Sequence, residues 1–343
     1  MELELWHWLL VFLASAVAIV GAATWLARAG DRIATTTGLG GLFVGVALTA
    51  TATSLPEVVT AGSAALADAA ELAVGDLFGS NMANMAILAV IDLITRRRLW
   101  PQVGLGHARV ASVAIALTAL GALFVVTPTG PAIGWVGVDT IAIVLVYAAA
   151  LAWFRRVQGP RVTPGIGEIP APMGWRRRGR RARRGSVVGP TGAFLLAALA
   201  VLAVGPIVAI SSKGIADTSG LGETFVGVTF LAVATSLPEL VASIAAVRMG
   251  SFDLAVGNLF GSNAMNMALF LVVDLAYRPG PITTAASVNV VIAAGVGAIL
   301  LTAMALAAVV HGEETRLRRL EPDAALLLII YLVLLGALSS MPD

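Results

Sequence analysis

One stretch of this chain occurs twice, and each copy sets an acid beside a proline inside an apolar run. The first copy, FVGVALTATATSLPEVVTAGSAALADAAELAVGDLFGSNMANMAILAVIDL, spans Phe43 to Leu93. The second, FVGVTFLAVATSLPELVASIAAVRMGSFDLAVGNLFGSNAMNMALFLVVDL, spans Phe225 to Leu275. They align without a gap, Glu57 answering to Glu239, and share ATSLPE followed by VG(D/N)LFGSNxxN. A charge midway along an apolar span costs on the order of 3 kcal/mol unless it meets a cavity, a cation or a partner. Glu57 and Glu239 are therefore what any fold must accommodate.

The apolar runs read as membrane spans. Of 343 residues, 58% are hydrophobic and 12% charged, with mean hydropathy +0.92. Runs of about 20 apolar residues recur along the whole chain. The short dyad-alternating segments of a transmembrane barrel are not visible. The acidic start MELELW lacks the basic region of a signal peptide, so the first helix is expected to be retained. With no cysteine, disulfides and thiolate metal sites are excluded. The fold class expected is all-α and polytopic, with helices at roughly 5–28, 39–67, 72–95, 108–127, 134–156, 191–212, 221–248, 254–277, 284–310 and 323–341. These divide into a five-helix half at 1–156, a linker at 157–190 and a second half at 191–343. The linker is rich in Pro, Gly and Arg, lacks periodicity, and reads as a disordered topology anchor.

Arginine placement sets the orientation. All of the 22 basic residues except Lys213 and Arg278 fall in the odd-numbered connections, which the positive-inside rule puts in the cytoplasm. Both termini are then extracytoplasmic, and the protein sits multi-pass in the cell (inner) membrane. The two copies occupy helices two–three and seven–eight, so they enter the bilayer from opposite sides. Inverted repeats of this kind characterise secondary transporters, whose site lies near the midplane between them.

The repeated residues supply hard oxygen. Pro56 and Pro238 lack an N–H and clash one turn back, so the helix is expected to kink or open there. That would free carbonyls around Ala50 to Thr53 and Ala232 to Thr235, backbone that survives in a bilayer only where it lines a cavity. Thr53, Ser54, Thr235 and Ser236 add hydroxyls. Ser80, Asn81 and Asn84 fall within about one turn, as do Ser262, Asn263 and Asn266. Carboxylate, carboxamide, hydroxyl and carbonyl, with no nearby His, select Ca²⁺, Mg²⁺, Mn²⁺ or Na⁺ over zinc or copper. Two glutamates neutralise one divalent ion or nearly balance two or three monovalent ones, and that competition is a physical basis for exchange.

TSLPE with GSNxxN, given twice, resembles the alpha repeats of the cation/calcium exchanger superfamily, in its sodium/calcium exchanger-like branch. The resemblance implies Glu57 and Glu239 as central calcium ligands with the carbonyls of Thr53 and Thr235. It implies one sodium niche from Ala50, Thr53 and Ser80 with Glu239, and another from Ser54, Ala232, Thr235 and Ser262, with Asn84 and Asn266 facing the middle. The activity implied is Na⁺/Ca²⁺ antiport. The chain departs from that pattern at Asp76, opposite Asn258, and at Asn266, where many members carry Asp. These departures keep open proton coupling or another divalent cargo, Mg²⁺ or Mn²⁺. Asp76, Asn81, Asn263 and Asn258 are further candidates.

No cofactor is expected beyond the transported ions, and no partner beyond the lipid bilayer and inorganic cations; neither nucleic acid nor a protein partner is implied. The chain is not expected to be an enzyme. AVGD at 73–76 suggests an intramembrane aspartyl protease, but the matching position is Asn258, and no HExxH is present. Asp68, Glu71 and Asp253 are placed at external turns, Asp92 and Asp274 at helix ends as capping or snorkelling groups, and His7, His107 and His311 near interfaces.

Overall fold

The computed structural model describes residues 4–37, 43–95, 99–100, 103–128, 130–158, 188–248, 250, 252–311 and 322–340. Most of the arginine-rich linker, 159–187, lies outside them. Each apolar run winds into a helix: α1 Leu5–Thr37, α2 Phe43–Leu66, α3 Ala70–Ile94, α4 Gly106–Val126, α5 Val138–Gln158, α6 Val188–Ser219, α7 Glu223–Arg248, α8 Phe252–Ala276, α9 Val288–His311 and α10 Pro322–Leu338. A hairpin, β1 Ala132–Ile133 with β2 Val136–Gly137, joins α4 to α5 with Ala132 opposite Gly137. Among the described residues seven helices, α1, α3, α4 and α6 to α9, are long and apolar enough to cross a bilayer, and Val138–Phe154 and Asp323–Leu338 are shorter apolar helices. The chain is a multi-pass membrane protein.

Two details differ from the sequence reading. First, α1 and α6 run about two turns beyond their expected ends. Apolar length marks where hydrocarbon stops, whereas backbone hydrogen bonding continues. In α6, Lys213 pairs with Asp217 one turn on, at 3.6 Å, and with Glu223 across the turn. Second, the helices do not open at their prolines. Pro56, Pro206 and Pro238 all lie inside continuous helix. A proline removes one hydrogen bond, and packing on both sides retains the others. The irregular backbone in α7 lies upstream, a π-helical stretch at Gly227–Leu231 where the Ala232 N–H bonds back to the Gly227 carbonyl.

Burial sorts the helices into centre and rim. α3 and α8 are mostly buried along their apolar lengths, 78% and 67%, against 33% in α1 and 28% in α6. α3 packs on α2, α7, α8, α9 and α10; α8 packs on α7, α2, α3, α4 and α5. Exchanging each helix for the one five places along turns the first set into the second. α1 and α6 lie along each other. Leu10, Leu13 and Val17 of α1, Leu195 and Leu199 of α6, and Leu332 and Val333 of α10 point outward, an apolar face suited to lipid.

Polar anchors divide the connections between two ends. At one, the α7–α8 turn meets the α3–α4 connection: Asp253 Oδ1 accepts from Gly104 N at 2.8 Å and lies 3.1 Å from His107 Nε2. At the other, Asp274 Oδ2 accepts from Gly137 N (2.8 Å) and the Thr140 hydroxyl (2.6 Å), and Oδ1 from Ile282 N (2.7 Å). Beside it, Asp139 Oδ2 accepts from Thr283 at 2.6 Å, Arg278 lies 4.2 Å over the Trp135 ring, and the Thr224 hydroxyl donates to Glu71 at 3.1 Å. Odd connections meet odd and even meet even. Asp253 thus belongs with His107, away from Asp68 and Glu71, because its turn is an odd-numbered connection. Asp274 does not snorkel; it is fully buried and knits three segments together. Asp92 is buried too.

α3 crosses α7 with backbone against backbone. A Cβ on Gly79 would lie 2.5 Å from Val228 Cα, and one on Gly227 would lie 2.6 Å from the Leu72 carbonyl oxygen. At Gly261, the counterpart of Gly79, a Cβ would meet nothing within 4 Å. Gly79→Ala is expected to destabilise the protein by about 1–3 kcal/mol. Gly261→Ala is expected to be neutral or stabilising, by up to about 1 kcal/mol. Thermal unfolding of both variants in detergent checks the contrast.

Candidate cation site

The four helices that carry the repeated motifs, α2, α3, α7 and α8, pack against one another and enclose the motif side chains. Thr53, Ser54, Glu57, Asp76, Ser80, Asn81, Asn84, Thr235, Ser236, Glu239, Ser262, Asn263 and Asn266 are all buried, and so is Ala232. Ala50 lies in α2, but its side chain is outside the described residues. Asn258 is half-buried.

Four amides join α3 to α8. Asn81 Nδ2 donates to the Asn263 carbonyl at 3.2 Å, and Asn263 Nδ2 donates to the Asn81 carbonyl at 3.2 Å. Asn84 Nδ2 donates to Asn263 Oδ1 at 2.9 Å, and Asn266 Nδ2 to Asn81 Oδ1 at 3.0 Å. Each bond has its counterpart in the other copy. Two threonines steady the lattice from outside: Asn81 Nδ2 reaches Thr118 Oγ1 at 3.2 Å, and Asn263 Nδ2 reaches Thr302 Oγ1 at 3.5 Å. Asn81 and Asn263 are thus spent on holding the helices together and aiming Asn84 and Asn266. Neither threonine stood out in the sequence. A hydroxyl in an apolar helix ordinarily bonds back one turn, as Thr118 does to Ala114 O and Thr302 to Ala298 O, both at 2.7 Å.

The lattice leaves oxygens over. Asn84 Oδ1, Asn266 Oδ1, Glu57 Oε2, both carboxylate oxygens of Glu239 and Ser236 Oγ are buried without a hydrogen-bond partner. Ser262 faces Glu239 without closing a hydrogen bond. Glu57 lies within electrostatic range of both Glu239 and Asp76. Buried polar atoms are otherwise almost always paired, and an unpaired buried charge is the costliest exception. Every one of these orphans is an oxygen that can face a hard cation. Among the described residues no three Asp, Glu, His or Cys side chains form a metal cluster alone. Amide, hydroxyl and carbonyl oxygens would therefore supply much of any coordination shell.

Asp76 breaks the likeness between the copies. Its Oδ1 accepts from Thr235 at 3.1 Å and Ser80 at 3.5 Å, and its Oδ2 lies 3.3 Å from the Thr60 hydroxyl. Thr60, unremarked in the sequence, is fully buried. At the matching position Asn258 Nδ2 has no partner, and no hydrogen bond among the described residues ties Asn258 to the cluster.

Comparison with known proteins bears on this geometry. The profile of the family described as "Sodium/calcium exchanger protein" matches residues 7–155 and 190–339. The CaxA protein of Alkalimonas amylolytica is 30% identical over 289 residues, which are 82% of this chain and 83% of that one. Among solved structures, the sodium-calcium exchanger NCX_Mj aligns over 99% of this chain and 100% of its own at TM-score 0.59 and 18% identity. The H+/Ca2+ exchanger CAX aligns over 96% and 88% at TM-score 0.63 and 15% identity. At such identities these two likenesses speak to fold alone.

If the amide lattice is a reciprocal pair, its halves should weigh alike. Asn81→Ala and Asn263→Ala are each expected to cost about 1–3 kcal/mol through the buried partners they leave unpaired. The double variant should lose clearly less than the sum of the two single losses. Unfolding temperatures of the three proteins, purified in one detergent, test this.

Proposed function

Because the chain belongs to the sodium/calcium exchanger protein family, we propose that it is a secondary antiporter exchanging Ca²⁺ for Na⁺ by alternating access. In this reading ten spans form two inverted five-helix halves, 1–156 and 191–343, joined by a cytoplasmic segment at 157–190, with both termini outside the inner membrane. Glu57 and Glu239 hold the divalent ion with the carbonyls of Thr53 and Thr235, and Asn84 and Asn266 face it with their free Oδ1 atoms. Ala50, Thr53 and Ser80 with Glu239, and Ser54, Ala232, Thr235 and Ser262, supply flanking sodium positions, and Ser236 adds a hydroxyl. The observation that carries the reading is the set of buried, unpartnered oxygens contributed by all four motif helices.

The physical logic is competition. The two carboxylates carry a formal charge of −2, which one Ca²⁺ balances fully. Sodium ions must enter as a group to do the same, so the two cargoes exclude each other. An empty site leaves two buried charges exposed to each other, and that penalty discourages the protein from switching sides unloaded. Proton coupling is the competing arrangement, since a proton on each carboxylate would balance the same charge.

Reconstituted vesicles separate the two. Uptake of ⁴⁵Ca²⁺ should follow an imposed outward sodium gradient and be indifferent to a pH gradient without sodium. Uptake driven by the pH gradient alone would replace sodium with protons as coupling ion. Glu57→Gln and Glu239→Gln should each abolish uptake; retained exchange in either removes the central-ligand assignment. Because the chain has no cysteine, orientation is open to direct labelling. Leu105→Cys should react with an impermeant maleimide only from the cytoplasmic side, and Ile133→Cys only from the outer side.

A further inference from the structure

Asp76 is a buried carboxylate that the exchange reading above does not use. It sits in α3 four residues before Ser80, fully buried, and its hydroxyl contacts are long. Thr60 gives it little: that hydroxyl has one proton, and the Pro56 carbonyl holds it at 2.8 Å, against 3.3 Å to Asp76 Oδ2. The charge is thus poorly compensated by the protein itself. The feature is also confined to one copy. Asp76 and Thr60 correspond to Asn258 and Ala242, so the acid and its neighbouring hydroxyl are present together in the first repeat and absent together from the second.

The geometry around Oδ1 has a definite size. Asp76 Oδ1 lies 3.1 Å from Thr235 Oγ1 and 3.5 Å from Ser80 Oγ, and the two hydroxyl oxygens lie 3.3 Å apart. Three oxygens so spaced outline one face of a coordination shell. An ion with oxygen bonds of about 2.3–2.6 Å needs octahedral edges of roughly 3.3–3.7 Å, whereas magnesium, at about 2.0–2.1 Å, needs roughly 2.8–3.0 Å. Two of the three edges, 3.3 and 3.5 Å, match a calcium- or sodium-sized ion, and the third, 3.1 Å, falls between the two ranges, so the face suits the larger ions better than magnesium. Potassium, larger than either, would need the oxygens further apart. The Thr235 proton has somewhere to go when its oxygen turns to a cation, since the Ala232 carbonyl lies 3.2 Å away.

Charge decides between the two remaining ions. Asp76 adds a third carboxylate within electrostatic range of Glu57. One divalent ion at the Glu57–Glu239 pair leaves a single negative charge uncompensated. We propose that Asp76, Ser80 and Thr235 form one face of an additional cation position beside the Glu57–Glu239 pair, and that its occupant is a sodium ion. The proposal rests on the reading of that pair as the divalent site. It makes this protein able to hold one sodium together with its divalent cargo, where a site with two acids would hold either.

Binding of ²²Na⁺ and ⁴⁵Ca²⁺ to the purified full chain, at fixed neutral pH, tests it. The wild type should retain sodium when calcium is saturating. Asp76→Asn should weaken sodium binding about tenfold or more, as expected when a site loses a charged ligand, and shift calcium half-saturation less than about threefold. Ser80→Ala, which keeps the carboxylate, should weaken the sodium retained at saturating calcium, where the flanking position that shares Ser80 is empty, and serves if Asp76→Asn does not fold. Loss of all sodium at saturating calcium in the wild type would overturn the proposal. So would unchanged sodium affinity in a folded variant, or parallel loss of both ions. A wild type that binds sodium through Asp76 yet binds no calcium would sink the exchange reading and leave this position standing.

Discussion

The reciprocal amide bonds between Asn81 and Asn263 are the interaction on which the rest of the interior depends. They fasten α3 to α8 at the middle of the molecule, each side chain gripping the other's backbone carbonyl. With their own Oδ1 atoms they also accept from Asn84 and Asn266, whose Oδ1 atoms are left buried without a partner. In a low-dielectric interior a saturated network of this kind is rigid, and its cost is recovered only if every donor is used. Here every amide nitrogen of the lattice donates at least once, while several acceptor oxygens are left over. That imbalance gives the centre an appetite for positive charge before the glutamates are counted.

The outer anchors serve the same arrangement at its two ends. Asp274 collects two backbone N–H groups and one hydroxyl, a fully satisfied acid that fixes the hairpin and the 282–285 turn over the end of α8. Asp253 does comparable work at the opposite end with Gly104 and His107. The contrast with Glu239 is instructive. Asp274, with its donors, holds segments together, whereas both carboxylate oxygens of Glu239 are without a hydrogen-bond partner where the two motif copies meet.

The sequence was readable where polarity was improbable. A glutamate, two asparagines and a serine inside an apolar span stand out, and the repeat marks them twice, so these residues are candidates from the sequence alone. The contributions of Thr60, Thr118, Thr302, Thr140 and Thr283 were not, because a threonine in an apolar helix has an unremarkable local use and its partner across space leaves no trace along the chain. The role of His107 is hidden from a local reading for a similar reason: its partner Asp253 lies in the other half of the chain. The prolines misled in the opposite direction. Their chemistry forbids one hydrogen bond, but whether a helix breaks there depends on neighbours that no local window contains.

The π-helical stretch at Gly227–Leu231 carries a consequence for how alike the two copies can be. In the first copy the helix is α-wound from Phe43 to Leu66. In the second, one turn is wound wider. One residue of an α-helix corresponds to about 100° of rotation. The wider turn shifts the phase of the residues before it, so Gly227 meets α3 at an angle that an unbroken α-helix would not give it. The two motif copies are in this way told apart by the winding of their backbone as well as by Asp76, a difference that side-chain exchange alone could not erase.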